Sequence, residues 1–235
     1  MKKLIMSLAC VCLATSYASA QNCMTFFPAN EGAMLVNRTY DSSNNLLYTT
    51  TYRVENAYDY TSGSDMQVSF LIKDNAENIL SNGNLDASCM DGNFYLKMVN
   101  RTMSPEIMDV LGNSTELVGN FLDYPNTFGT DFTYNGPFEM TPGEYSIQSK
   151  NDKSESMRVK VYNRQYEKNE NITTPVGTFN AAKISFNFDC VKDGQTNVHK
   201  GVEWYAEGAG IVRSETYDEN GVLQNYTELT TLISN

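Results

Sequence analysis

Gly201-Val-Glu-Trp-Tyr-Ala-Glu-Gly-Ala-Gly-Ile-Val-Arg-Ser-Glu-Thr-Tyr-Asp218, continuing as Glu219-Asn-Gly-Val-Leu-Gln-Asn-Tyr-Thr-Glu-Leu229, reads as strand, glycine corner, strand, tight turn, strand. β-Branched and aromatic residues alternate with polar ones, and glycines or an Asp-Glu-Asn-Gly cluster punctuate them. Alternation puts Val202 and Trp204 on one face of the first strand and Glu203 and Tyr205 on the other. Trp204, the single tryptophan of the chain, reads as a packing anchor before it reads as a ligand platform.

The same period-two pattern recurs upstream. Met34–Tyr40, Leu46–Val54, Met66–Ile72, Phe94–Val99, Met157–Tyr162, Ala182–Phe188 and Gly210–Tyr217 are strand candidates. Turn clusters separate them: Asp41-Ser-Ser-Asn-Asn45, Asp74-Asn-Ala-Glu-Asn78 and Asp218-Glu-Asn-Gly221 each begin with an aspartate able to bond its own downstream backbone. Thr39-Tyr-Asp41 and Thr216-Tyr-Asp218 share one frame, so similar hairpins are expected at both ends of the domain. In Thr173-Thr-Pro-Val-Gly-Thr178, proline and glycine make a turn that starts the strand at Phe179.

One segment departs from the pattern. In Ser104-Pro-Glu-Ile-Met-Asp-Val-Leu-Gly112, serine suits an N-cap, proline the first helical position, an acid the first turn and glycine the stop. This predicts a single short helix, continuing as a broken segment from Thr115 to Phe121. Three prolines and three glycines between positions 123 and 144 predict a long loop region with at most short strands.

At the amino end, Lys2 and Lys3 precede an apolar run from Leu4 to Ala14, and Ala18-Ser-Ala20 supplies small residues before Gln21. Residues 1–20 are therefore expected to be a signal peptide cleaved after Ala20, with residues 21–235 forming one domain. The apolar run is well short of the ~20 residues of a membrane span. Cys10 and Cys12 lie inside it, which disfavours a lipid anchor. A membrane-spanning barrel is disfavoured too, because the strands mix charged and apolar residues with no uniform lipid-facing side.

Loss of Lys2 and Lys3 with the leader leaves 15 of the 17 bases against 28 acids, a formal charge of −13. A chain so acidic, without a Lys/Arg cluster, repels nucleic acid and anionic lipid heads. Three cysteines remain, Cys23, Cys89 and Cys190, allowing one disulfide in any of three pairings.

Catalytic signatures are sparse. The chain has no Gly-x-Ser-x-Gly, His-Glu-x-x-His, phosphate-binding loop or Cys-x-x-Cys. Its one histidine, His199, rules out a multi-histidine metal site and reads as a solvated surface residue beside Lys200. Glu203 and Glu207 are the carboxylate pair from which a glycoside hydrolase would be built, across a glycine corner. No catalytic residue, metal ligand or cofactor site is assigned.

Two non-enzymatic readings follow. In one, a curved sheet encloses an apolar pocket lined by Met66, Val68, Phe70, Phe94, Leu96, Met98, Ile184, Phe186 and Phe188, binding a lipid-like ligand. Nine methionines outside the leader would suit adaptable packing around such a guest. In the other, the protein is an interaction module whose fifteen tyrosines and many asparagines engage a polysaccharide or a protein. A cavity of several hundred cubic ångströms separates them.

Taken in order, Phe27-Pro-Ala-Asn-Glu-Gly32, Thr173-Thr-Pro-Val-Gly-Thr-Phe179, Gly201-Val-Glu-Trp-Tyr-Ala206, Gly208-Ala-Gly-Ile-Val-Arg-Ser214 and Tyr226-Thr-Glu-Leu229 resemble exported Bacteroidetes proteins of the DUF3108-like family. The resemblance implies a mainly β fold, a strongly curved antiparallel sheet or incomplete β-barrel similar to periplasmic lipoprotein-carrier folds. It implies a location in the periplasm or outside the cell, and transfers no activity. Cys23 and Cys89 stand where such proteins often carry cysteines, so the resemblance points to their pairing, with Cys190 as the alternative partner. The chain departs from the family at Asn180-Ala181, where a cysteine is more usual.

Overall fold

The computed structural model describes residues 27–28, 30–60, 63–90, 93–97, 104–110, 112, 114–119, 121–125 and 137–234. The expected leader, Cys23 and Met98 lie outside the described residues.

Among the described residues, fourteen strands and one helix follow one another along the chain. They are β1 (Met34–Asp41), β2 (Leu46–Tyr60), β3 (Gly63–Asp74), β4 (Ile79–Met90), β5 (Asn93–Lys97), α1 (Pro105–Val110), β6 (Thr115–Gly119), β7 (Phe121–Pro125) and β8 (Phe138–Glu139). Then come β9 (Gly143–Ser149), β10 (Glu155–Thr174), β11 (Gly177–Lys192), β12 (Gln195–Ala206), β13 (Gly210–Asp218) and β14 (Leu223–Ile233).

All strands join one sheet in the order β6-β9-β10-β11-β12-β13-β14-β1-β2-β3-β4-β5-β7, with β8 paired to β10. Every pairing given is antiparallel. The two ends of this path, β6 and β7, are separated by one residue of chain. Two residues of chain span at most about 7 Å, so the sheet curls until its opposite ends meet at that corner. The result is the strongly curved half-barrel expected from the sequence.

Alternation decides which side is buried. Val159 and Val161 of β10, Ile184, Phe186 and Phe188 of β11, and Met66, Val68, Phe70 and Ile72 of β3 all face the concave core. Glycines open space for the largest of these side chains. A Cβ at Gly201 would stand 2.3 Å from the Phe186 ring, and one at Gly83 3.0 Å from Phe70. Each phenylalanine fills the volume above a glycine on the neighbouring strand.

The three aspartate turns share one hydrogen-bond scheme. Asp41 Oδ1 accepts from the backbone of Ser43 and Asn45, Asp74 Oδ1 from Ala76 and Asn78, and Asp218 Oδ1 from Asn220 and Val222. These bonds favour the charged carboxylate, and they hold Asp41 and Asp74 below the ordinary range, led in each case by the side-chain amide of Asn45 or Asn78.

The helix stands where the capping residues place it, with the Ile107 amide donating to Ser104 Oγ at 3.4 Å. Its expected continuation does not form. Residues 115–119 and 121–125 are strands instead, because the half-barrel edges recruit them through pairing with β9 and β5.

Candidate functional site

Eight of the nine residues expected to line an apolar pocket are described, and all eight are buried in one contiguous core. They pack against one another and against their neighbours: the Phe186 and Phe188 rings lie 6.2 Å apart, and those of Phe94 and Tyr124 6.5 Å apart. The cavity among Phe27, Leu35, Tyr52, Leu85, Leu96 and Ile211 has a volume of about 20 Å³. That is room for about one water molecule.

The concave side also carries polar groups that alternation alone misplaces. On β10 the register slips between Tyr162 and Gln165, with Asn163 at φ 50°. This bulge shifts the phase, so that Arg164 points inward and is only 2% exposed. Its Nη1 donates to the Thr141 carbonyl at 2.7 Å, and its guanidinium lies 5.2 Å from the Tyr124 ring centre. The Tyr124 hydroxyl donates to that of Tyr205 at 3.4 Å. Burial pushes the Tyr124 phenol well above its ordinary value; the positive charge of Arg164 opposes the rise, and the buried Glu203 adds to it.

A second polar group lies where α1 meets β11 and β12. His199 is 6% exposed and stacks on Phe188 at 4.9 Å, which corrects the expectation of a solvated surface histidine. Strand β12 starts at Gln195, four residues earlier, so position 199 falls inside a strand and on its inner face. Glu106 Oε2 of α1 stands 3.4 Å from His199 Nε2, and Asn197 Nδ2 donates to Glu106 Oε1 at 3.2 Å. Cys190, one register step away, has its Sγ 3.5 Å from Ser104 Oγ.

Cysteine, histidine and glutamate thus gather in one place, but the thiol is wrong for nucleophilic chemistry. Burial pushes the Cys190 thiol up to about 11, with the hydrogen bond to Ser104 acting weakly the other way. At pH 8 only about a thousandth of it is thiolate. Iodoacetamide at pH 8 is therefore expected to leave Cys190 unmodified in the folded protein and to alkylate it fully in denaturant, read by mass spectrometry of the peptide. Rapid labelling of the native protein would contradict this placement.

Cys190 is free, which corrects its standing as an alternative disulfide partner. Cys89 is disulfide-bonded, and its partner lies outside the described residues. Glu203 and Glu207 are not a working pair: Glu203 is buried on the inner face, and Glu207 is exposed at the glycine corner. Trp204 is 6% exposed but lies on the convex side, opposite Glu203 and Tyr205. Its Nε1 donates to Glu170 Oε1 at 2.7 Å, and Lys183 Nζ sits 5.7 Å from the ring. Among the described residues, no group of three or more His, Cys, Asp or Glu side chains is placed to hold a metal ion.

Among the described residues, two larger hollows lie elsewhere. One, of about 410 Å³, sits at the β8 edge beside the Arg164 bulge. The other, of about 520 Å³, lies on the outer face of β2, β3 and β4. Strand β2 runs on past the expected end at Val54 through a bulge between Val54 and Asn56 and reaches Tyr60. Tyr58 and Tyr60 are left 56% and 55% exposed on that extension. Asp65, Gln67, Asp86 and Ser88 complete the polar lining.

The architecture is a curled antiparallel half-barrel with an apolar concave core and an aromatic hollow on its outer face. The chain belongs to the DUF3108-like family, which matches residues 30–229. Two solved structures are similar over 90% of this chain and the whole of theirs, each with a TM-score of 0.83. One is a Bacteroides fragilis protein of YmcC-like fold, inferred to be exported, at 29% identity. The other is a Parabacteroides distasonis protein inferred to be a lipoprotein, at 30% identity. No protein with a curated description matches the chain.

Proposed function

We propose that this protein is a non-enzymatic binding protein of the bacterial cell envelope that recognises its target through the outer face of β2–β4. The observation that carries this reading is the contrast in volume. Among the described residues, the cavity at the apolar face is about 20 Å³, whereas the hollow beside two half-exposed tyrosines is about 520 Å³. Small-molecule sites are usually some 300–1,000 Å³, so the outer hollow is of the right size and the inner one too small for a lipid chain. Export is supported by Lys2, Lys3, the apolar run and Ala18-Ser-Ala20, and by the relatives inferred to be exported or lipoproteins. Cleavage after Ala20 and a Cys23–Cys89 disulfide belong to the same reading.

Native mass spectrometry of the protein purified gently from the periplasm of an expressing cell, repeated after denaturation, tests it. The expected mass is that of residues 21–235 with one disulfide and nothing else retained. An excess of a few hundred daltons that is lost on denaturation and extracts into organic solvent as a lipid would overturn the outer-face reading in favour of carriage of an apolar ligand.

A further inference from the structure

We propose that the hollow on β2–β4 is a carbohydrate subsite, taking a glycan strand that lacks uronate, sulfate or phosphate groups. The inference rests on the outer-face reading above and names its ligand class. Register brings the parts together: Tyr58 pairs with Asp65 and Asp65 with Ser88, while one step further in Asn56 pairs with Gln67 and Gln67 with Asp86. One patch of sheet therefore holds two exposed aromatic rings beside two carboxylates, two amides and a hydroxyl.

A pyranose needs that mixture. Its C–H face is apolar and stacks on an aromatic ring, while its rim of hydroxyls donates to carboxylates and accepts from amides. Tyr58 and Tyr60 are two residues apart on one face, so their rings are offset along the strand by about 7 Å, which suits neighbouring sugars on a strand.

The polar groups are already oriented. The Tyr60 hydroxyl donates to Asp65 Oδ2 at 3.0 Å, fixing the carboxylate and raising the phenol above its ordinary value, so the ring stays uncharged. Asn56 Nδ2 donates to Gln67 Oε1 at 3.0 Å, which leaves the Gln67 amide hydrogens to donate outward.

Charge selects within the class. Among the described lining residues the charged side chains are Asp65 and Asp86, and the whole chain carries a formal charge of −11. An acidic glycan meets like charge at these two carboxylates. Uncharged and amino-bearing glycans do not. A protein partner fits the site less well, because protein interfaces spread over about 800 Å² per partner, whereas these groups converge on a hollow of ligand size.

The test is a microarray of purified uncharged, amino-bearing and acidic glycans, probed with the mature protein and with Tyr58→Ala/Tyr60→Ala and Asp65→Asn/Asp86→Asn variants. The wild type is expected to bind at least one uncharged or amino-bearing glycan, and the double tyrosine variant to bind it about tenfold or more weakly. The double asparagine variant is expected to lose preference against acidic glycans. Both tyrosines are over half exposed, so the variant should melt with the wild type and the loss can be assigned to the site.

Binding to no glycan, binding to acidic glycans alone, or binding unchanged without the tyrosines would each overturn the carbohydrate assignment. A blank array together with protection of Tyr58 and Tyr60 by an envelope fraction would overturn only the ligand class. A retained apolar guest with both tyrosines unprotected would overturn the outer-face reading beneath it.

Discussion

Replacing Arg164 with methionine is expected to lower the unfolding free energy by about 3–5 kcal/mol, the usual cost of removing one member of a buried charge network. Arg164 is almost wholly enclosed, donates to the Thr141 carbonyl and lies against the Tyr124 ring, with the buried Glu203 close enough to act on the same phenol. Methionine matches much of the stem volume but supplies no donor and no charge, so the Thr141 carbonyl loses this donor and the Tyr124 ring loses its cation. Arg164→Lys keeps the charge without the planar fork and should cost less. Guanidinium unfolding of the three proteins gives the order wild type, lysine, methionine. Equal midpoints for wild type and methionine would mean that the guanidinium contributes nothing to the fold.

Trp204→Ala should cost about as much, some 3–5 kcal/mol, as is typical of a buried tryptophan. Register carries a row across the convex face, Lys168 opposite Lys183, Lys183 opposite Trp204, Trp204 opposite Arg213. The like charges of the two lysines are offset by Glu170, 2.7 Å from Lys168, and Glu167, 3.1 Å from Lys183. Lys183 Nζ lies 5.7 Å from the indole ring, which is tied to Glu170. Trp204→Phe keeps most of the buried area and loses only the N–H, so its cost should be about 1–2 kcal/mol.

The pH dependence has a definite sign. The hydrogen bond from Lys168, then the one from Trp204, holds the Glu170 carboxyl below its ordinary value. A depressed carboxyl stabilises the fold at neutral pH, and that stabilisation fades as pH falls from the unfolded value of about 4.5 through the lower folded one. Glu170→Gln should flatten this acid limb in unfolding experiments. If Trp204→Ala instead left the unfolding midpoint unchanged and altered only ligand binding, the indole would be a platform and not a structural anchor.

Strand chemistry made much of the architecture legible. Every strand candidate read from the sequence corresponds to an observed strand, and the paired Tyr-Asp hairpins recur as expected. Strand β4 escaped because Asn82-Gly83-Asn84 looks like a turn; Gly83 is there to make room for Phe70. The site was harder to read for a related reason. Period two loses its phase at a bulge, and bulges at Glu55 and Asn163 decide where Tyr58, Tyr60 and Arg164 point. Asn163, of a residue type that tolerates positive φ better than most, was the available signal for the second bulge. The first leaves no comparable mark, since Glu55 is an unremarkable strand residue. Which face of the C-terminal strand is concave was also hidden: alternation separated Trp204 from Tyr205 correctly but could not say that the tyrosine side faces inward.

Hydroxyl-radical footprinting of the mature protein, with and without a solubilised bacterial envelope fraction, addresses the central claim most directly. Recognition through the outer face requires oxidation of Tyr58 and Tyr60 to fall in the presence of the fraction, while Val222 in the turn before β14 and Ile233 at the end of β14, both exposed, are unaffected. Unchanged tyrosine oxidation, with altered reactivity at the buried Phe70 or Phe186 instead, would contradict the account and return the function to the interior of the half-barrel.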